Sequence, residues 1–317
     1  MIVGTSAGVT FALAAGVMWG LVFVGPLMLP EYPPALHTFG RYLAFGLIAL
    51  PLAWLDRSRL RDLTRADWLE ALKLALVGNI IYYLFLSSAI QRAGAPLPTM
   101  VIGTLPVVIA IASNLRAAQR LPWARMLPSM GLIAAGIALV NHVELTALRQ
   151  DARADLSSYV WGGALALGAL VCWTWYPIRN AEWLRANPDR SATTWATAQG
   201  IATLPLALLG YLGFWLWGSI IGNTFAMPLG PRPFEYLGLM LALGFFASWL
   251  GTLCWNQASQ RLPSTLSGQL IVFETLAALC FAFVLRGAWP PWQTLAGAAL
   301  LVAGVVWALR AQRAQNA

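Results

Sequence analysis

The sequence predicts an all-α integral membrane protein: ten transmembrane helices arranged as two inverted five-helix repeats around a central cavity. Three observations predict it. Of the 317 residues, 59% are hydrophobic and 10% charged, a balance that belongs in lipid rather than water. The apolar residues fall in runs long enough to cross a hydrocarbon core of about 30 Å at about 1.5 Å per residue. The second half of the chain then repeats residues of the first at a nearly constant offset.

A backbone in lipid must satisfy its own hydrogen bonds, so each run reads as a helix. The first, 7–29, follows a start without Lys or Arg and continues past the length of a short leader, so it reads as a spanning helix and not a cleaved signal. Pro33 and Pro34 open the second, 34–55, at a position where proline is tolerated. The third and fourth, 69–90 and 96–115, are parted by Gln91, Arg92 and Gly94. Pro122 precedes the fifth, 124–142, and the sixth runs over 159–179. Pro188 precedes the seventh, 191–217, and a longer loop around Gly218 to Arg232 leads to the eighth, 235–257. Pro263 opens the ninth, 264–285, and Pro290 with Pro291 opens the tenth, 291–310.

The net charge of +8 does not point to nucleic acid, because the basic residues sit in short gaps between apolar runs and form no basic stripe. They do point to an orientation. With both termini inside, Arg57, Arg59, Arg61, Arg65, Arg116, Arg120, Arg125, Arg179, Arg185, Arg190, Arg261, Arg310 and Arg313 gather on the inner side. The outer side holds Arg92, Arg149, Arg153, Arg232 and Arg286. The excess of inner arginine places both termini in the cytoplasm of a bacterial-type inner membrane. Cys172, Cys254 and Cys280 all lie within apolar runs and read as packing residues, with no metal or cofactor called for.

The duplication is read from aligned residues. At one offset Trp19, Gly46 and Pro51 match Trp173, Gly200 and Pro205; at a slightly larger one Ala89, Gln91, Arg92, Pro122 and Trp123 match Ala258, Gln260, Arg261, Pro291 and Trp292. The expected repeats are 1–145 and 156–312. Five is an odd number of crossings, so the second repeat enters the membrane from the opposite side. Inverted repeats put a binding site near the midplane, and rocking one half against the other exposes it to each side in turn.

Few polar residues lie at that depth. Glu274 is the carboxylate deepest within a predicted span and should face the interior, as a ligand for a substrate ammonium, as a protonation switch, or as a bond between helices. Arg41 lies about two turns into the second span, as a snorkelling side chain or as a carboxylate anchor at the cavity mouth. Asn79, Tyr83 and Ser87 recur one turn apart, beside Tyr82, and Ser248, Thr252 and Asn256 repeat that stripe in the eighth span; such stripes line a cavity or join helices. Trp19 and Trp173 are repeat mates below the interfacial belt, and with Tyr176 they offer flat walls for an aromatic or branched side chain. Thr99, Gly103, Thr104, Ser267 and Gln269 add small or polar surface, Gly16 and Gly20 form a close-contact pair, and Lys73 reads as a snorkelling anchor. His37 and His142 fall near outer ends, without metal-ligating companions, and are expected to be solvated or interfacial.

The segments "ALAAGVMWG" and "ALALGALVCW", Arg41, "TLPVVIAI" and "LAGAALLVAGVV" resemble the drug/metabolite transporter superfamily with its duplicated EamA-type repeat, over nearly the whole chain. The resemblance implies a ten-helix basket carrying a small metabolite without ATP. Where the ninth span of such proteins has a proline, this chain reads "IVFETLAAL", and Glu274 there, with a tryptophan in the first and sixth spans, resembles the YddG-type amino acid exporters. The expected partners are the bilayer, a small molecule such as a neutral or aromatic amino acid, and protons if transport is coupled. A lipid or lipid-linked amine flippase is the alternative. An enzyme is disfavoured, because the sequence has no HExxH, no aspartate pair and no Ser/His/Asp set at membrane depth.

Overall fold

A computed structural model describes residues 2–94, 96–116, 122–149, 156–222, 224–287 and 289–313. Among them there is no strand. Nine helices among the described residues are long and apolar enough to cross a membrane. They are α1 (Thr5–Met28), α2 (Pro34–Leu55), α3 (Arg65–Ala93), α4 (Leu97–Arg116) and α5 (Trp123–Val140, continuing to Arg149), then α7 (Ala192–Ile220), α8 (Pro233–Arg261), α9 (Leu266–Leu285) and α10 (Trp292–Arg310). Between α5 and α7 lies α6 (Leu156–Ala186), long enough at 31 residues but set apart by its tryptophans, tyrosines and closing charges. The sequence expectation of ten crossings thus meets nine such helices and one that differs in composition.

The helices pack so that each contact has a counterpart when the first five exchange with the second five. Helix α1 lies on α8 and α9 as α6 lies on α3 and α4, while α2 meets α7, α4 meets α9 and α5 meets α10. Glycines mark the closest approaches and also give direction. Gly8, Gly16 and Gly20 of α1 face Leu262, Phe273 and Ala277 in ascending order, so α1 and α9 run the same way. Gly162 and Gly168 of α6 face Ala93 and Phe85 in descending order, so α6 opposes α3. Around the bundle α8 opposes α1, α2 follows α8, α7 opposes α2 and α6 opposes α7. Helices α1 and α6 therefore cross in opposite senses, as an odd-numbered repeat requires.

Five helices depart from a continuous α-ladder, four of them in matched pairs. Helix α4 breaks at Thr104, between Pro96–Gly103 and Leu105–Arg116, and α9 breaks at Ile271, between Ser264–Leu270 and Val272–Arg286. The hydropathy pattern predicts both spans unbroken. Pro106 explains the first break, since it removes a ladder donor and its ring collides with the preceding turn; the second occurs without proline and leaves Glu274 in the first turn of the new segment. Helices α3 and α8 carry π-helical stretches at Ala75–Ile81 and Leu243–Leu250, rare wide turns that recur at functional sites. A 3₁₀ stretch, Leu21–Phe23, interrupts α1.

Candidate functional site

These irregular turns surround one buried cluster. Glu274 is 1% exposed, and its Oε2 accepts a hydrogen bond of 3.2 Å from Trp173 Nε1, while its Oε1 has no partner. Gly16 fixes the backbone there: a Cβ on Gly16 would stand 2.9 Å from Phe273 Cβ and 3.0 Å from the amide nitrogen of Glu274. Trp173 stacks on Tyr82 at 4.4 Å and on Tyr176 at 5.0 Å, and meets Trp19 edge-on at 4.9 Å. Trp19 lies against Gly251, where a side chain would collide with the indole.

Arg41 approaches from the second helix. It does not snorkel: it is 3% exposed, with Nε donating to Ser248 Oγ at 2.9 Å and Nη2 to the Ala247 carbonyl at 3.2 Å. Both acceptors belong to the π-helical stretch of α8, and Ser248 Oγ in turn donates to Leu243 O. The guanidinium carbon sits 4.8 Å from the ring centre of Tyr42 and 4.6 Å from that of Tyr83, two cation–π contacts from rings set at 90° to each other. Tyr83 is fixed by donating to Val22 O in the 3₁₀ stretch, at 2.9 Å. Nη1 of Arg41 and the hydroxyl of Tyr82 remain without partners. No ion pair joins Arg41 to Glu274: Nη1 of the one and Oε1 of the other both stay open.

The remaining expected residues divide. Asn79 donates to Thr203 at 3.1 Å, and Asn256 bonds Asn180 at 2.8 Å and the Ala192 carbonyl at 3.3 Å. Both join helices, the second of the two readings that the sequence leaves open for these stripes. Ser87 returns to the carbonyl of Tyr83. Tyr176 donates to Gln199 at 2.8 Å, and Thr252 is buried. Gln269 donates to Ser129 at 3.2 Å and leaves its oxygen unpartnered. Thr99 is half-buried, and Gly103 has room beside it, the nearest atoms to a built Cβ lying 3.8 and 4.0 Å away. Lys73 is exposed and pairs with Glu70 at 3.7 Å.

Two peripheral expectations are also corrected. His37 is not solvated; it is fully buried, with Nε2 donating to Leu29 O at 3.0 Å because a carbonyl can only accept. Cys280 is exposed, unlike the buried Cys172 and Cys254. Sequence reasoning missed Tyr42 and Trp255. Tyr42 directly follows Arg41, and Trp255 lies one turn after Thr252 on the stripe already noted in the eighth span, so spacing alone could have found both.

The sequence model of the EamA-like transporter family matches residues 6–142. The chain is 54% identical over 309 residues to the inner membrane protein YtfF of Escherichia coli (strain K12), with 96% of each chain covered. It is 25% identical over 281 residues to an uncharacterized transporter of Archaeoglobus fulgidus, covering 87% of this chain and 88% of that one. A crystal structure of a protein shares the fold at a TM-score of 0.71 and 20% identity, over 98% of both chains. The chain belongs to the EamA-like transporter family of the drug/metabolite superfamily and is a multi-pass membrane transporter.

Proposed function

We propose that this transporter is a secondary carrier of small zwitterionic metabolites, neutral amino acids foremost, and that it exports them by alternating access. The observation that carries the reading is the set of unpartnered, buried polar atoms: Arg41 Nη1, the Tyr82 hydroxyl and Glu274 Oε1. Each such atom costs about 1–3 kcal/mol while it lacks a partner, and more when charged. A carboxylate on Arg41 with Tyr82, and an ammonium on Glu274, would satisfy all three at once. Trp19, Trp173, Tyr82 and Tyr176 then form the walls. The moving bodies are the repeats 1–145 and 156–312, with both termini cytoplasmic.

The flippase alternative finds less support. An apolar groove of about 480 Å³ between α9 and α10 is lined by Leu276, Cys280, Phe283 and Leu295 among others. Its α9 residues occupy the face turned away from Glu274, so it offers a lipid no path to the polar atoms.

The test is counterflow of labelled neutral amino acids into liposomes holding the purified protein. Wild type should exchange them, and Glu274→Gln should lose at least about tenfold, the scale of one charge-assisted hydrogen bond. If folded wild type moves no amino acid, the zwitterion reading is wrong and lipid-linked amines are next.

A further inference from the structure

One buried donor beside the cluster is left over by these contacts. Trp255 of α8 is 2% exposed, and its ring packs 5.2 Å from that of Trp19 at a 46° tilt. Trp19 meets Trp173, the indole that holds Glu274, so Trp255 continues the same aromatic wall. The buried indoles of α6 and α7 have acceptors: Trp173 donates to Glu274, Trp183 to Asp67 and Trp195 to Asn180. Trp255 Nε1 has none. An indole nitrogen can only donate, so no rearrangement of protons relieves it. On its own helix Asn256 is engaged with Asn180 and Ala192, and Ser259 Oγ, one turn further on, is itself unpartnered and accepts nothing from the indole.

We infer that Trp255 Nε1 is a specificity contact, donating to an acceptor atom on the side chain of the bound substrate. The transported class is then zwitterions whose side chains carry an amide or hydroxyl oxygen, rather than those with plain hydrocarbon side chains. This narrows the proposed function and rests on it. It also departs from the flat apolar walls that the tryptophans suggest in the sequence. A site built around a donor rejects the analogue without an acceptor, because that analogue leaves the N–H buried and unpaired. A purely apolar pocket would show the opposite preference.

Near-isosteric pairs isolate the contact: asparagine against leucine, and threonine against valine. In counterflow, wild type should favour the oxygen-bearing member by about tenfold or more. Trp255→Phe keeps a ring in the wall and removes the donor; it should bring both ratios to about one or below while leucine is still carried. Thermal unfolding of the purified variant establishes that it is folded. If wild type carries leucine and valine as well as their partners, the inference is overturned, whatever the variant does. If the variant keeps wild-type ratios, the N–H points at the ring face of Trp19 and the inference is again overturned. If none of the four moves, the zwitterion reading itself has failed, a result distinct from loss of preference.

Discussion

At the scale of single residues, Arg41 shows what composition leaves open. Its side chain is long enough to reach a headgroup from two turns down, yet Ser248, the Ala247 carbonyl and two tyrosine rings hold it inside. The outcome was set by neighbours from α3 and α8 that are distant in sequence. His37 has the same history, fastened by a carbonyl eight residues away rather than left at the interface. Arg41→Lys would keep the charge but lose the planar fork that reaches two acceptors and contacts two rings. The concentration dependence of counterflow should show the apparent KM for a neutral amino acid raised by about tenfold or more. An unchanged KM would remove Arg41 from the proposed carboxylate contact.

At the scale of elements, the seam between α1 and α9 positions Glu274. A Cβ on Gly20 would stand 2.6 Å from Ala277 Cβ and 2.8 Å from the Ala278 amide nitrogen, backbone that cannot move aside cheaply. Gly20→Val should therefore cost about 1–3 kcal/mol, seen as a lower midpoint of thermal unfolding in detergent. Gly238→Ala serves as the control, since nothing lies within 4 Å of its built Cβ; its midpoint should stay or rise slightly. The close-contact role of Gly16 and Gly20 was legible from their spacing of four. The breaks at Thr104 and Ile271 and the two π-helical stretches were not, because a hydropathy pattern records which residues meet lipid and not which hydrogen bond each carbonyl makes.

At the scale of the whole molecule, ion pairs and aromatic stacks fasten both ends. At one end Arg179 grips Glu70 at 2.5 and 3.1 Å, Trp183 stacks on Trp195 at 3.4 Å, and Asn180 accepts from Trp195 and Gln199. At the other, Tyr32 stacks on Tyr236 at 4.9 Å, and both hydroxyls donate to backbone carbonyls. Arg232 adds ion pairs at this second end, to Glu31 at 3.2 Å and to Glu235. Because the Arg179 side chain is 43% exposed, its pair with Glu70 is worth about 1 kcal/mol or less and is open to screening. Raising salt to about 1 M, where the Debye length is about 3 Å, should lower the unfolding midpoint of wild type by more than that of Glu70→Gln. Equal salt dependence would mean that this pair does not fasten the end.

The sequence by itself determined the membrane class, the helical spans, the internal duplication and which residue types lie at depth. Those follow from local quantities: hydropathy over about 20 residues, proline and glycine positions, and recurrence at a fixed offset. Only the tertiary structure decided which polar groups are engaged. Asn79 and Asn256 had the same standing in the sequence as Tyr82 and Glu274, but the first two meet partners across a helix interface and the last two retain an open atom. A hydrogen bond between helices depends on rotation about each axis, and one residue of phase turns a side chain by about 100°. Packing fixes that angle, and with it the difference between a strut and a ligand.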